Sequence, residues 1–156
     1  MKLRLIAIGT RMPAWVQEGY AEYAQRLPRE CRLELVEIPV EPRGKNADIA
    51  RLREAEGDKM LRAAGNGSRL LAFDERGTAL DTVAWSKALQ QWLQEGRDVA
   101  LLVGGPDGLA PACLERAEAR WSLSRLTFPH PLVRVLLAEQ LYRAWTLLQN
   151  HPYHRA

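Results

Sequence analysis

Cysteine is scarce in this chain. Cys31 and Cys113 are the only two, far apart and outside any Cys-x-x-Cys spacing, which excludes a disulfide framework and a zinc knuckle. No stretch approaches the ~20 apolar residues of a spanning helix, so no membrane span is expected. The opening Met-Lys-Leu-Arg-Leu-Ile-Ala-Ile-Gly has too short an uncharged apolar run for a secretory signal, and no small-residue cleavage site follows. A cytoplasmic protein is the expectation. Gly-x-Gly-x-x-Gly is missing, including after the first strand at Gly9-Thr-Arg-Met12, and so is the Gly-Lys-Ser/Thr of a P-loop. Both absences disfavour dinucleotide binding and nucleotide hydrolysis. Three histidines, His130, His151 and His154, lack the acidic support of a metal site, so no metal is expected. No Ser/His/Asp triad can be argued from spacing. Excess charge is small: a net +3 permits a nucleic-acid partner without requiring one.

What is present is ordinary for a globular chain: 156 residues, 47% hydrophobic and 26% charged. That length predicts a single domain over residues 1–156 with a sizeable core. Leu3 to Ile8 is a short apolar run ending at Gly9, a buried strand by length. Pro13 suits a first helical turn, and Val16, Tyr20, Tyr23 and Leu27 recur at helical spacing before Pro28. Leu33 to Ile38 reads as a strand near an edge. Asn46 can cap a helix with Asp48 in its first turn. That helix has Ile49, Leu52, Ala55, Lys59 and Ala63 on one face, Gly57 as a weak point, and an end at Gly65-Asn-Gly67. Arg69 to Phe73 is a third strand, closed by Asp74, with a turn at Gly77. Asp81 caps a helix bearing Trp85, Ala88, Leu89 and Trp92. Val99 to Val103 is wholly apolar, as in a parallel strand buried on both faces. A short helix over Pro111 to Arg120, at most a short fifth strand within Trp121 to Leu126 and a long helix from Leu132 to about Gln149 complete the chain. The alternation predicts a three-layer α/β/α fold on a mostly parallel sheet.

Two connections stand out. Gly104-Gly-Pro-Asp-Gly108 follows the apolar strand, where glycines let backbone approach a ligand and where doubly wound sheets hold ligands. Taken alone it also fits a tight turn and helix start. Trp121-Ser-Leu-Ser-Arg-Leu-Thr-Phe-Pro-His130 offers hydroxyls, free backbone donors and apolar walls at Leu123, Leu126 and Phe128. Taken alone it also fits an ordinary strand-to-helix link. Together the two predict the walls of one pocket.

On the last helix Glu139 and Arg143 stand four apart in the favourable order, either as a surface pair or as polar groups facing a cleft or a partner subunit. In the tail, Tyr153 and His154 can stack on an unpaired base and Arg155 can meet a phosphate. A frayed terminus is the plain alternative.

These segments jointly resemble the ribosomal RNA large subunit methyltransferase H family of the SPOUT superfamily. The resemblance runs through Ala7-Ile-Gly-Thr-Arg-Met-Pro13, Arg43-Gly-Lys-Asn-Ala-Asp48, Leu102-Val-Gly-Gly-Pro-Asp-Gly108, Trp121 to His130, Leu132-Val-Arg-Val135, Glu139-Gln-Leu-Tyr-Arg-Ala-Trp145 and Asn150-His-Pro-Tyr-His-Arg155. It implies a homodimer with a deep C-terminal trefoil knot. It implies S-adenosyl-L-methionine held by Phe73, Gly104 and Leu123, Ser124, Arg125, Leu126, Thr127 and Phe128. It further implies methylation of N3 of a pseudouridine in 23S ribosomal RNA within the assembled ribosome, at a site built from both subunits. For that chemistry Arg143 or Arg155 is expected to stabilise the deprotonated base, and His154 or Glu139 to take its proton. Tyr153 is expected to meet the unstacked base. Arg11, Arg43, Lys45 and Arg134 are expected at RNA phosphates. Two other readings remain open: a SPOUT methyltransferase acting on another rRNA or tRNA nucleotide, and a non-enzymatic ribosome-associated RNA-binding factor.

Overall fold

Five apolar or half-apolar runs become five strands because each has a neighbour to cover it. The computed structural model describes residues 1–155. The strands are β1 (Lys2–Ile8), β2 (Arg32–Ile38), β3 (Arg69–Ala79), β4 (Val99–Val103) and β5 (Ala119–Ser122). The helices are α1 (Ala14–Ala24), α2 (Ile49–Ala64), α3 (Thr82–Glu95), α4 (Pro111–Arg116) and α5 (His130–Leu148). The sheet order is β2-β1-β4-β3-β5, and every pairing is parallel.

Strand alternation divides the core in two. Leu3, Leu5 and Ala7 of β1 point to a layer with Trp85, Leu89, Trp92, Leu137 and Leu141. Ile6 and Ile8 point the other way, to Met60, Ala64, Ala110 and Cys113. Helices α1, α3 and α5 therefore cover one face, and α2 and α4 the other. This is the three-layer arrangement expected. Among the described residues no helix is long and apolar enough to cross a membrane.

Several local expectations are corrected. The cap of α2 is Asp48, whose carboxylate accepts from the Arg51 amide, rather than Asn46. Its inward face is Glu56, Gly57, Met60 and Ala64, rotated from the predicted stripe. Gly57 is a contact point rather than a weak one: a Cβ there would lie 2.7 Å from the Ala110 Cβ. Strand β3 does not close at Asp74 but runs on to Ala79, with a register shift between Phe73 and Thr78. Gly77 is no turn but a strand residue against β5, where a Cβ would lie 2.7 Å from the Arg120 and Trp121 backbone. Helix α4 stops at Arg116, and Ala119 to Arg120 belongs to β5.

Candidate functional site

The carboxyl ends of β4 and β5 and the irregular middle of β3 open on one cavity of about 610 Å³, a size suited to a small organic ligand. One wall is Gly104 to Leu109. Another is Trp121 to Ser124 with Leu126, Thr127 and Phe128. Pro129, His130 and Val133 carry the wall into the start of α5, and Phe73 to Arg76 supply the β3 side. The two connections singled out in the sequence thus face each other.

Each wall has a local cause. Gly104 passes so close to Gly108 that a Cβ on it would sit 2.5 Å from the Gly108 carbonyl carbon. The turn is closed by a bridge between Gly105 and Gly108, and Gly108 takes a positive φ of 76°, which glycine adopts without strain. In the facing loop the Ser122 hydroxyl donates to the Ser124 carbonyl at 2.8 Å, and the Leu126 amide donates to the Ser124 hydroxyl at 3.0 Å. These bonds hold the loop in a curve and leave Leu126 69% exposed at the mouth. Beneath, Phe73 stacks on Trp85 at 5.8 Å and Trp121 stacks on Trp92 at 5.7 Å, a rigid aromatic floor.

Of the predicted cofactor residues, Phe73, Gly104, Leu123, Ser124, Leu126, Thr127 and Phe128 line the cavity. Arg125 lies in the same loop but is exposed and outside the lining. Sequence reasoning missed Arg53 and the segment Asp74 to Arg76; Trp121 and His130, the two ends of the predicted loop, line the cavity but were not among the predicted cofactor residues. The Phe-Pro-His-Pro run was the available signal for His130. Burial beside the Arg134 guanidinium pushes the His130 imidazole below its ordinary range, and its Nδ1 has no partner among the described residues.

The predicted catalytic residues assemble elsewhere. Glu139 Oε1 accepts from Arg143 Nε at 2.9 Å and from the Tyr153 hydroxyl at 2.9 Å. The Arg143 guanidinium lies 5.0 Å from the Tyr153 ring centroid, and Tyr153 meets Tyr142 edge-on at 4.6 Å. Burial, then the bond to Glu139, pushes the Tyr153 phenol up to about 12, so it stays protonated as a donor. The tail is not frayed. Asn150 takes φ 54°, the His151 amide donates to the Thr146 carbonyl at 2.9 Å, and Pro152–His154 forms a 3-10 turn against α5. His154 presents a buried Nδ1 without a partner among the described residues, and Arg155 is exposed. Val133 lines the cavity, whereas Arg143 is ten residues further along α5, roughly 15 Å at 1.5 Å per residue. One chain therefore does not bring this cluster to its own cavity.

One predicted phosphate contact is corrected, and a second is already paired within the chain. Arg134 is 1% exposed. Its Nη1 donates to Glu37 at 2.6 Å and its Nη2 to the Gly9 carbonyl at 2.7 Å, so it ties α5 to the end of β1 and cannot reach RNA. The Arg43 guanidinium is taken up by Asp107 and Glu56. Arg11 and Lys45 remain exposed.

The family model described as "Predicted SPOUT methyltransferase" matches residues 1–154. The chain is 64% identical to a protein of Alkalilimnicola ehrlichii and 60% identical to one of Thioalkalivibrio sulfidiphilus, both named "Ribosomal RNA large subunit methyltransferase H". The first match covers 100% of both chains and the second 99% of both. Among solved structures, a probable methyltransferase from Bordetella pertussis Tohama I superposes with TM-score 0.60 at 18% identity, over 91% of this chain and 93% of that one. A probable methylase family protein from Haemophilus influenzae Rd KW20 gives TM-score 0.58 at 13% identity, over 99% and 70%. At those identities the structures speak for the fold alone. The sequence matches reach further, and by them the chain belongs to the ribosomal RNA large subunit methyltransferase H family of SPOUT methyltransferases.

Proposed function

We propose that this protein is an S-adenosylmethionine-dependent methyltransferase acting on N3 of a pseudouridine in 23S ribosomal RNA, within the assembled ribosome in the cytoplasm. The observation that carries the reading is the glycine-walled, aromatic-floored cavity at the strand ends, in a chain that matches the named rRNA methyltransferases end to end. The cavity fits the proposed donor. Its volume suits an adenosyl group, and the Gly104 to Gly108 turn brings bare backbone to its wall. Phe73, Gly104 and the segment Leu123 to Phe128 would hold it. When bound, S-adenosylmethionine supplies a methyl already activated on a sulfonium, so the protein's work is alignment and charge control.

The imide N3 of the base is a poor nucleophile until its proton leaves, and the resulting charge spreads onto the flanking carbonyl oxygens. Arg143 and Arg155 are the cations for that charge. His154 is the better proton acceptor of the two expected. Glu139 Oε1 already accepts from Arg143 and Tyr153. Glu139 then holds Arg143 and Tyr153 in place for the base. Lys45, Arg11 and the exposed Arg125 are available for phosphates.

The distance along α5 between the cavity and Arg143 supports a homodimer in which the tail of one copy completes the cavity of the other. In this reading residues 1–156 form one domain, and the segment from β4 to α5 is threaded as the trefoil knot of SPOUT proteins. The test is to supply labelled donor and protein to assembled ribosomes, separated subunits and bare rRNA, each lacking the modification. Label at one pseudouridine of 23S rRNA, strongest in assembled ribosomes, is the expected result. Label in tRNA or at another rRNA base would refute the substrate. No saturable donor binding would refute the enzyme.

A further inference from the structure

The turn Gly104-Gly-Pro-Asp-Gly108 has a mechanical problem. Four of its five residues carry no side chain able to hydrogen-bond, and it stands beyond the last paired residue of β4. Asp107 is its one polar anchor. The structure ties that anchor twice to the arm before α2 and to α2 itself. Arg43 Nε donates to Asp107 Oδ2 at 2.7 Å, and Arg53 Nη1 donates to the Asp107 carbonyl at 3.3 Å. Arg43 is fixed in turn. It donates to the Glu41 carbonyl at 2.7 Å and to the two Glu56 carboxylate oxygens at 3.1 and 3.2 Å. Glu56 is only 2% exposed, and it also accepts from the Glu41 amide at 3.0 Å. A buried carboxylate is tolerated only with such partners, so Glu56 and Arg43 hold each other in one geometry. Arg43 is a rigid fork between a buried acid in α2 and the acid of the turn.

We infer that Arg43 and Glu56 are positioning residues for the methyl-donor site, acting through Asp107 to hold the Gly104 to Gly108 turn in its binding shape. This rests on the cofactor reading above. The sequence alone suggested an RNA phosphate as the partner of Arg43. The geometry instead makes its effect independent of RNA. Holding a glycine-rich wall in place before the ligand arrives spares the cost of ordering it on binding.

The experiment is calorimetric titration of the full-length protein with S-adenosylmethionine, with no RNA present, for wild type, Arg43→Gln, Glu56→Gln, Asp107→Asn and the Arg43→Gln/Asp107→Asn double variant. Donor KM and kcat on ribosomes are measured alongside. Each single variant is expected to raise the donor Kd about tenfold. The donor KM should rise in step, with kcat at saturating donor within about twofold, because the groups that meet the base are untouched. The double variant should bind no more weakly than either of its singles, because both break one link. Asp107→Asn, whose side chain is part-exposed, carries the test if Glu56→Gln does not fold. An unchanged donor Kd in Arg43→Gln and Asp107→Asn, or additive losses in the double variant, would overturn the inference while leaving the cofactor reading intact. Failure of the wild-type protein to bind the donor would overturn both.

Discussion

Replacing Gly104 by Ala should damage donor binding more than any other single methyl added to the chain. A Cβ at that position would lie 2.5 Å from the Gly108 carbonyl carbon and 2.8 Å from both the Gly108 oxygen and the Leu109 nitrogen. Ordinary contact begins at 3.4 Å, so the turn must open by the difference, 3.4 − 2.5, about 0.9 Å. All three obstructing atoms are backbone, so no rotamer change relieves the clash. Overpacking of this kind costs about 1–3 kcal/mol. Part of it falls on the fold, and the remainder on a cavity wall displaced by most of an ångström. About a tenfold rise in donor Kd, ~1.4 kcal/mol, is expected. Gly44→Ala is the matched control, because nothing lies within 4 Å of its Cβ. Calorimetric titration of both variants, with melting temperatures to establish folding, decides the matter. A folded Gly104→Ala protein that binds the donor within twofold of wild type would refute the reasoning about this wall.

Arg143→Ala should reduce turnover on ribosomes by about a hundredfold or more while donor Kd stays near wild type, because Arg143 is assigned to the base and not to the donor; unchanged turnover would remove it from the chemistry. Deleting residues 153–156 should abolish methylation of ribosomes and spare donor binding, read by the same two assays. Gly57→Ala sets two effects against each other: helix propensity favours Ala by about 1 kcal/mol, but the new Cβ would stand 2.7 Å from Ala110 Cβ and 3.3 Å from Cys113 Sγ. The clash should win, with a net loss of about 1–2 kcal/mol in denaturant unfolding; a stabilised variant would show that α2 and α4 separate easily. The fold holds His130 below its ordinary 6.5 through burial beside Arg134, so the unfolded chain binds its proton first as pH drops. Its contribution is intact above about pH 6.5 and is lost as pH falls through the lower folded value. Thermal unfolding should therefore become less favourable to the fold below that pH, and His130→Gln should flatten the slope.

Much of this protein was legible without coordinates, for identifiable reasons. Val99 to Val103 had to be a strand covered on both faces, because five consecutive apolar residues leave no side for water. Asp81 and Gly96 bounded α3 because caps are local chemistry. The two loops could be paired as walls because ligands gather at strand ends. Tertiary packing decided what local pattern could not. The face of α2 turned on whether Gly57 met another helix, and Gly77 became a strand residue because β5 lies against it with no room for a Cβ. Arg134 and Arg43 looked like cations for RNA, since a sequence shows a charge and not its partner. Folding placed Glu37 and the Gly9 carbonyl around the first, and Glu56 and Asp107 around the second. Periodicity and capping act over a few residues, so the chain declares them alone. The company a buried charge keeps is set by segments as much as 125 positions apart, and only the folded arrangement brings them within reach.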